Sequence, residues 1–164
     1  MELNLPAMLQ TAIQVENKRW YDHAYAMQPE ERLRRAYVVA QTAMSQLIDL
    51  TGQTALAHQN AADSKSVLTA YVAVVDAFFQ IAARQSWSQL IVMTPDEQVA
   101  IMQKRPAKSL NQQALAVQQF LLHSYFDRQQ AAFKHAWHLV LKWGLVDLAV
   151  DAKLLEAAFL KTDR

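Results

Sequence analysis

Val67-Leu68-Thr69-Ala70-Tyr71-Val72-Ala73-Val74-Val75-Asp76-Ala77-Phe78-Phe79-Gln80-Ile81 reads as a helix that is apolar almost all the way round. Val67, Tyr71, Val74, Val75, Phe78, Phe79 and Ile81 spread over more than one face at the helical repeat, and a helix without a polar face belongs in the middle of a bundle. The remaining chain agrees with an all-α reading. Apolar residues make up 52% and charged ones 19%, with Ala and Gln abundant and only two glycines, which excludes disorder and disfavours a sheet. A chain of 164 residues is enough for one domain, 1–164, with a real core. A formal charge of +1 gives no overall reason to expect nucleic acid or an anionic membrane. With no cysteine there is no disulfide, thiolate zinc site or thiol nucleophile. The start, Met1 to Pro6, lacks the basic region and apolar stretch of a signal peptide. No apolar run is expected to reach membrane-spanning length, so a soluble cytoplasmic protein is expected.

Punctuation on either side of this helix predicts about six helices. Leu5, Leu9, Ile13 and Trp20 mark one face of the first. Pro29 opens the second, with Glu30 and Glu31 complementing its dipole, and Gly52 is its natural stop. Gln53 to Ser66 is the longest candidate loop, and the central helix follows it. Thr94-Pro95-Asp96-Glu97 has the form of a capping box and starts a short helix ending near Lys104. Ser109 is the next start signal, for a helical period that runs through Leu115, Tyr125, Phe133 and Trp137 to Gly144. Leu148 to Phe159 forms the last helix. There is no solenoid-length repeat and no low-complexity tract.

Four pieces carry a resemblance, in the same order along nearly the whole chain: Leu3-Asn4-Leu5-Pro6-Ala7-Met8-Leu9-Gln10, Val39-Ala40-Gln41-Thr42-Ala43-Met44, Thr69 to Val75, and Leu155-Glu156-Ala157-Ala158-Phe159-Leu160-Lys161. They resemble, respectively, the Leu-rich, Met-Gln-containing opening, the V-E-L-G-E-L and E-E-Y-V-D-G-L segments and the E-E-A-Y-L-x-K-N end of the dimeric all-α dUTP pyrophosphatase (dUTPase) family. That family sits in the MazG-like superfamily of all-α NTP pyrophosphohydrolases. The resemblance implies a homodimeric helical bundle. In the family an E-x-x-E pair and an E-x-x-D pair hold magnesium, and an activated water releases dUMP and pyrophosphate. In this chain alanine stands at all four acid positions, Ala40 and Ala43 on the second helix and Ala70 and Ala73 on the third. Methyl groups supply none of the oxygens that magnesium needs. The base-binding segment, with its lysine and tryptophan, is replaced by Thr54-Ala55-Leu56-Ala57-His58, and the basic tail by Thr162-Asp163-Arg164.

The expected protein therefore has no catalytic residue, and Ala40, Ala43, Ala70 and Ala73 mark a vestigial metal site. Asp49, Asp76 and Lys161 remain as candidates for polar or phosphate contacts, Asp76 because it shares a face with Ala73. Arg32, Arg34 and Arg35, and the linker Lys104-Arg105-Pro106-Ala107-Lys108, could each bind a phosphate, although solvated edges are the plainer reading. His135 and His138, with His123 and Asp127 before them, have a legal spacing for a transition metal. The interleaved Phe133, Trp137 and Trp143 favour a packing helix there instead. No phosphate-loop, dinucleotide-binding or nucleophile-elbow motif occurs. The expectation is a pseudoenzyme without cofactor, a homodimer that binds a nucleotide or an active paralogue, and neither nucleic acid nor membrane. Its rivals are an active dUTP or NTP pyrophosphohydrolase using displaced acids and magnesium, and a purely structural helical interaction module.

Overall fold

A computed structural model of the protein describes residues 2–23, 26–56 and 62–161. These form eight α-helices, with no strand among them: α1 (Leu5–Asp22), α2 (Pro29–Thr51), α3 (Ser64–Gln85), α4 (Ser88–Ile91), α5 (Pro95–Met102), α6 (Leu110–Phe126), α7 (Gln130–Lys142) and α8 (Ala152–Leu160), with a π-helical segment at Trp143–Asp147.

Helix starts follow the local chemistry. The Asn4, Asp63, Ser109 and Asp151 side chains each accept a first-turn backbone N–H, which satisfies donors that the helix itself leaves unpaired. Thr94 and Glu97 form the reciprocal capping box at α5. Gly52 ends α2 in the left-handed region, at φ 68°.

Boundaries depart from the sequence reading at five places. α3 begins at Ser64 rather than Val67, because Asp63 provides the cap. The short α4 has no side-chain cap to announce it. The helical period from Ser109 to Gly144 breaks in two at Arg128, whose φ is 52°. The backbone also passes through Gly144 instead of stopping there, and widens into the π-helical segment. The Tyr71 ring explains the glycine: a Cβ at 144 would lie 1.9 Å from its Cζ. The last helix starts at Ala152, not Leu148, because Ala149 adopts φ 52° and Asp151 then caps it.

α3 lies at the centre, against α1, α2, α4 and α8, and α7 packs on α4, α5 and α6. Tyr71, Val74, Val75, Phe78, Phe79 and Ile81 are each 0% exposed. An aromatic chain joins α3 to α7 and α8, with ring centroids 5.6 Å apart for Phe79–Trp137, 5.7 Å for Phe78–Phe133 and 5.3 Å for Phe79–Phe159. Contrary to the sequence expectation, α3 has the length and composition of a membrane span, with mean hydropathy 1.7. Its inward side is nevertheless packed against other helices, as in a core helix. The start of the chain is clamped from far away in sequence. The Gln98 side chain accepts from Leu3 N–H at 2.8 Å and donates to the Leu3 carbonyl at 3.1 Å, while Glu156 accepts from Asn4 N–H at 2.8 Å.

Candidate functional site

The α2–α3 pair packs through small residues at the positions of interest. Ala40 is 0% exposed, Ala43 5% and Ala70 9%. Their methyls belong to the hydrophobic core, so these three positions line no open cleft. Ala73 is exposed. The four alanines thus divide into three buried positions and one on the surface.

The polar candidates do not rebuild a metal centre. Asp49 is exposed in the last turns of α2, nine residues and so about 14 Å along the helix from Ala40. Asp76 is half-buried on α3 and accepts from Gln80 Nε2 at 3.4 Å, while the same amide group donates to the Ala12 carbonyl at 3.2 Å. Lys161 is exposed just beyond α8. Among the described residues no three His, Cys, Asp or Glu side chains come together as a metal would require. His123 bonds to Asp127 at 2.5 Å, and the His135 ring lies tilted against Phe120, with centroids 4.2 Å apart. Burial holds the His138 imidazole below its ordinary pKa, Lys134 adds to that, and Glu97 opposes it. Of the segment in the base-binding position, Thr54, Ala55 and Leu56 are exposed. Ala57 and His58, like Thr162-Asp163-Arg164, lie outside the described residues.

The basic linker Lys104–Lys108 is tied down. Ala107 N–H donates to Asp147 Oδ1 at 2.7 Å, and Lys142 Nζ lies 3.1 Å from both carboxylate oxygens. Gln113 donates to the same carboxylate and accepts from Lys142 at 3.0 Å. The Lys142 and Asp147 side chains are only 10% and 1% exposed. This network uses all four lone-pair directions of the aspartate in holding α6, α7, the π-helical segment and the linker together.

A second constellation gathers at the outer ends of α1, α2 and α3. The indole of Trp20, half-buried at the edge rather than packed with Leu5 and Leu9, is approached by three guanidiniums. The Cζ atoms of Arg32, Arg35 and Arg84 lie 4.5, 5.5 and 5.6 Å from its ring centroid. Trp20 Nε1 donates to Glu16 at 3.0 Å. Arg19 and Arg35 reach the same carboxylate at 3.6 and 3.7 Å. A cleft of about 400 Å³ opens here, lined by Glu16, Arg19, Trp20, His23, Met27 and Arg35. Burial pushes the Arg84 pKa down, against the pull of Glu16, and Arg32 and Arg35 push it further.

No family model, curated protein or solved structure matches the chain. Sequence reasoning marked Arg32, Arg34 and Arg35 as one cluster, and the fold divides them. Arg34 turns to Glu30 and Glu31 at 2.8 and 3.0 Å, while Arg35 lines the cleft and Arg32 lies over the Trp20 ring. Glu16, Arg19, Trp20 and Arg84 were not foreseen as functional. Arg84 is 49 to 68 positions from Glu16, Arg19, Trp20, Arg32 and Arg35, and only the packing of α3 between α1 and α2 brings it beside them.

Proposed function

We propose that this chain is a dUTPase-like helical scaffold that works by binding, of a nucleotide or of an active paralogue in the cytoplasm, and has lost metal-dependent hydrolysis. The supporting observation is the burial of Ala40, Ala43 and Ala70 in the α2–α3 contact. Carboxyl groups at those points would be desolvated in an apolar core and would ionise there only with a cation to offset the cost. The reading includes a homodimer. Its support is a stripe on α6, where Leu115, Leu122 and Phe126 recur on one face and are 67%, 42% and 73% exposed. The large apolar side chains of α3 are buried within the one chain, so they no longer call for a second subunit.

The decisive measurement is pyrophosphate release from dUTP and the other deoxynucleoside triphosphates, with magnesium or manganese. No release above background is expected. Steady release that disappears in Asp49→Asn or Asp76→Asn would replace this reading with an active pyrophosphohydrolase using displaced acids.

A further inference from the structure

We propose that the cleft at Trp20 binds the phosphate group of a small soluble molecule, without a metal, through Arg19 and Arg35, which line it, with Arg32 and Arg84 adding positive charge from their places against the same indole. This inference stands apart from the dUTPase-like reading, since it involves neither the alanine positions nor magnesium. Its first ground is charge. Three guanidiniums from two helices converge on one indole, and the carboxylate beside them, Glu16, is shared by Trp20, Arg19 and Arg35. Around Arg84 the one carboxylate, Glu16, is set against two further cations, Arg32 and Arg35. The face of an aromatic ring attracts a cation but cancels none of its charge. An incoming dianion would relieve repulsion that the fold otherwise has to sustain.

Geometry is the second ground. Arg32 is anchored by Nε to the Met27 carbonyl at 3.0 Å, which fixes the plane of its guanidinium. Planar guanidinium forks match phosphate oxygens in pairs, where ammonium groups act as point charges. His23 lines the same cleft, and its Nδ1 lies 2.8 Å from the Arg19 carbonyl. A carbonyl only accepts, so Nδ1 carries the proton, and this contact orients the ring. Shape and size complete the argument. About 400 Å³ lies within the usual range for small-molecule sites and exceeds what inorganic phosphate alone would fill. The whole chain carries only +1, and the arginines at Trp20 sit at a concave spot. A polymer of phosphates would instead call for an extended basic stripe.

Calorimetric titration of the full chain at low ionic strength tests the site, with inorganic phosphate, pyrophosphate, a nucleoside monophosphate and the uncharged nucleoside as probes. Saturable one-to-one binding of at least one phosphate compound is expected, with none of the bare nucleoside. Charge-assisted bonds of this kind predict weakening by about tenfold or more in Arg35→Gln and Arg84→Gln, and no change in Arg34→Gln, whose side chain pairs with Glu30 and Glu31. Binding of the monophosphate tighter than that of inorganic phosphate would assign the site to an organic phosphate, and equal binding to the free anion. If Arg84→Gln fails to fold, Arg35→Gln decides, because its side chain is half-exposed and circular dichroism can verify its helices. The proposal falls if no phosphate compound saturates the protein, if Arg35→Gln binds as the parent does, or if the uncharged nucleoside binds equally well. Loss of this site would leave the hydrolysis result untouched, and hydrolysis of dUTP would leave this site standing.

Discussion

Ala40 and Ala73 occupy equivalent places in the two alanine pairs, yet an added carboxylate meets opposite surroundings at each. At Ala40, wholly enclosed, Ala40→Glu has to displace packed neighbours and bury a charge, and a loss of about 3 kcal/mol or more is expected. Ala73→Asp enters solvent and should cost about 0.5–1 kcal/mol, mostly helix propensity. Thermal melts of the two single variants in chelator would separate these outcomes. Equal melting temperatures would mean that the α2–α3 contact is open at Ala40. A pH dependence belongs at this scale as well. Because burial lowers the His138 pKa from its ordinary 6.5, the unfolded chain takes up the proton more readily than the folded one. Stability should therefore be unaffected above that value and fall as pH drops through it, levelling off below the depressed folded value. His138→Gln should flatten this part of the acid limb in melts recorded between neutral and mildly acidic pH. An unchanged limb would exclude His138 as its source.

Helix boundaries show where backbone chemistry was legible and where it was hidden. Pro29, Gly52 and the Thr94–Glu97 box act within a few residues of themselves, so the sequence carries them openly, and the helical period of α3 announces its central place. The break at Arg128 and the turn at Ala149 are made by residues with no intrinsic preference for φ near 52°, imposed by the packing of α6 against α7 and of α8 against α1 and α3. Gly144 misleads for a related reason, because its missing side chain serves the Tyr71 ring and not a helix stop. The cleft at Trp20 was half legible, since Arg32 and Arg35 stand in a visible cluster whereas Arg84 arrives only through tertiary packing. Arg128→Gly and Ala149→Gly should each stabilise the protein by about 1 kcal/mol by relieving a left-handed backbone. Gly52→Ala, at φ 68°, should destabilise it by a similar amount. Urea unfolding of the three variants gives the signs, and destabilisation by both new glycines would show that those turns carry no strain.

At the scale of the whole molecule, one chain covers its own apolar centre, so association is expected to leave folding unchanged. Sedimentation should give a dimer at micromolar concentration. Leu122→Glu combined with Phe126→Glu should give a monomer with the same helical circular dichroism. A monomeric parent protein would remove the homodimer from the proposed function. The clamp on the first residues has a consequence in time rather than in energy. α1 can dock its Leu5, Met8 and Leu9 stripe as soon as α3 has emerged from the ribosome, but the grip of Gln98 on Leu3 waits for α5, and that of Glu156 on Asn4 waits for α8. Contacts spanning 95 and 152 positions are slow to close compared with those inside the α2–α3 hairpin. Leu3 and Asn4 thus leave the ribosome well before the side chains that hold them, and during synthesis the opening turn of α1 is left for chaperones, or for neighbouring nascent chains, to find.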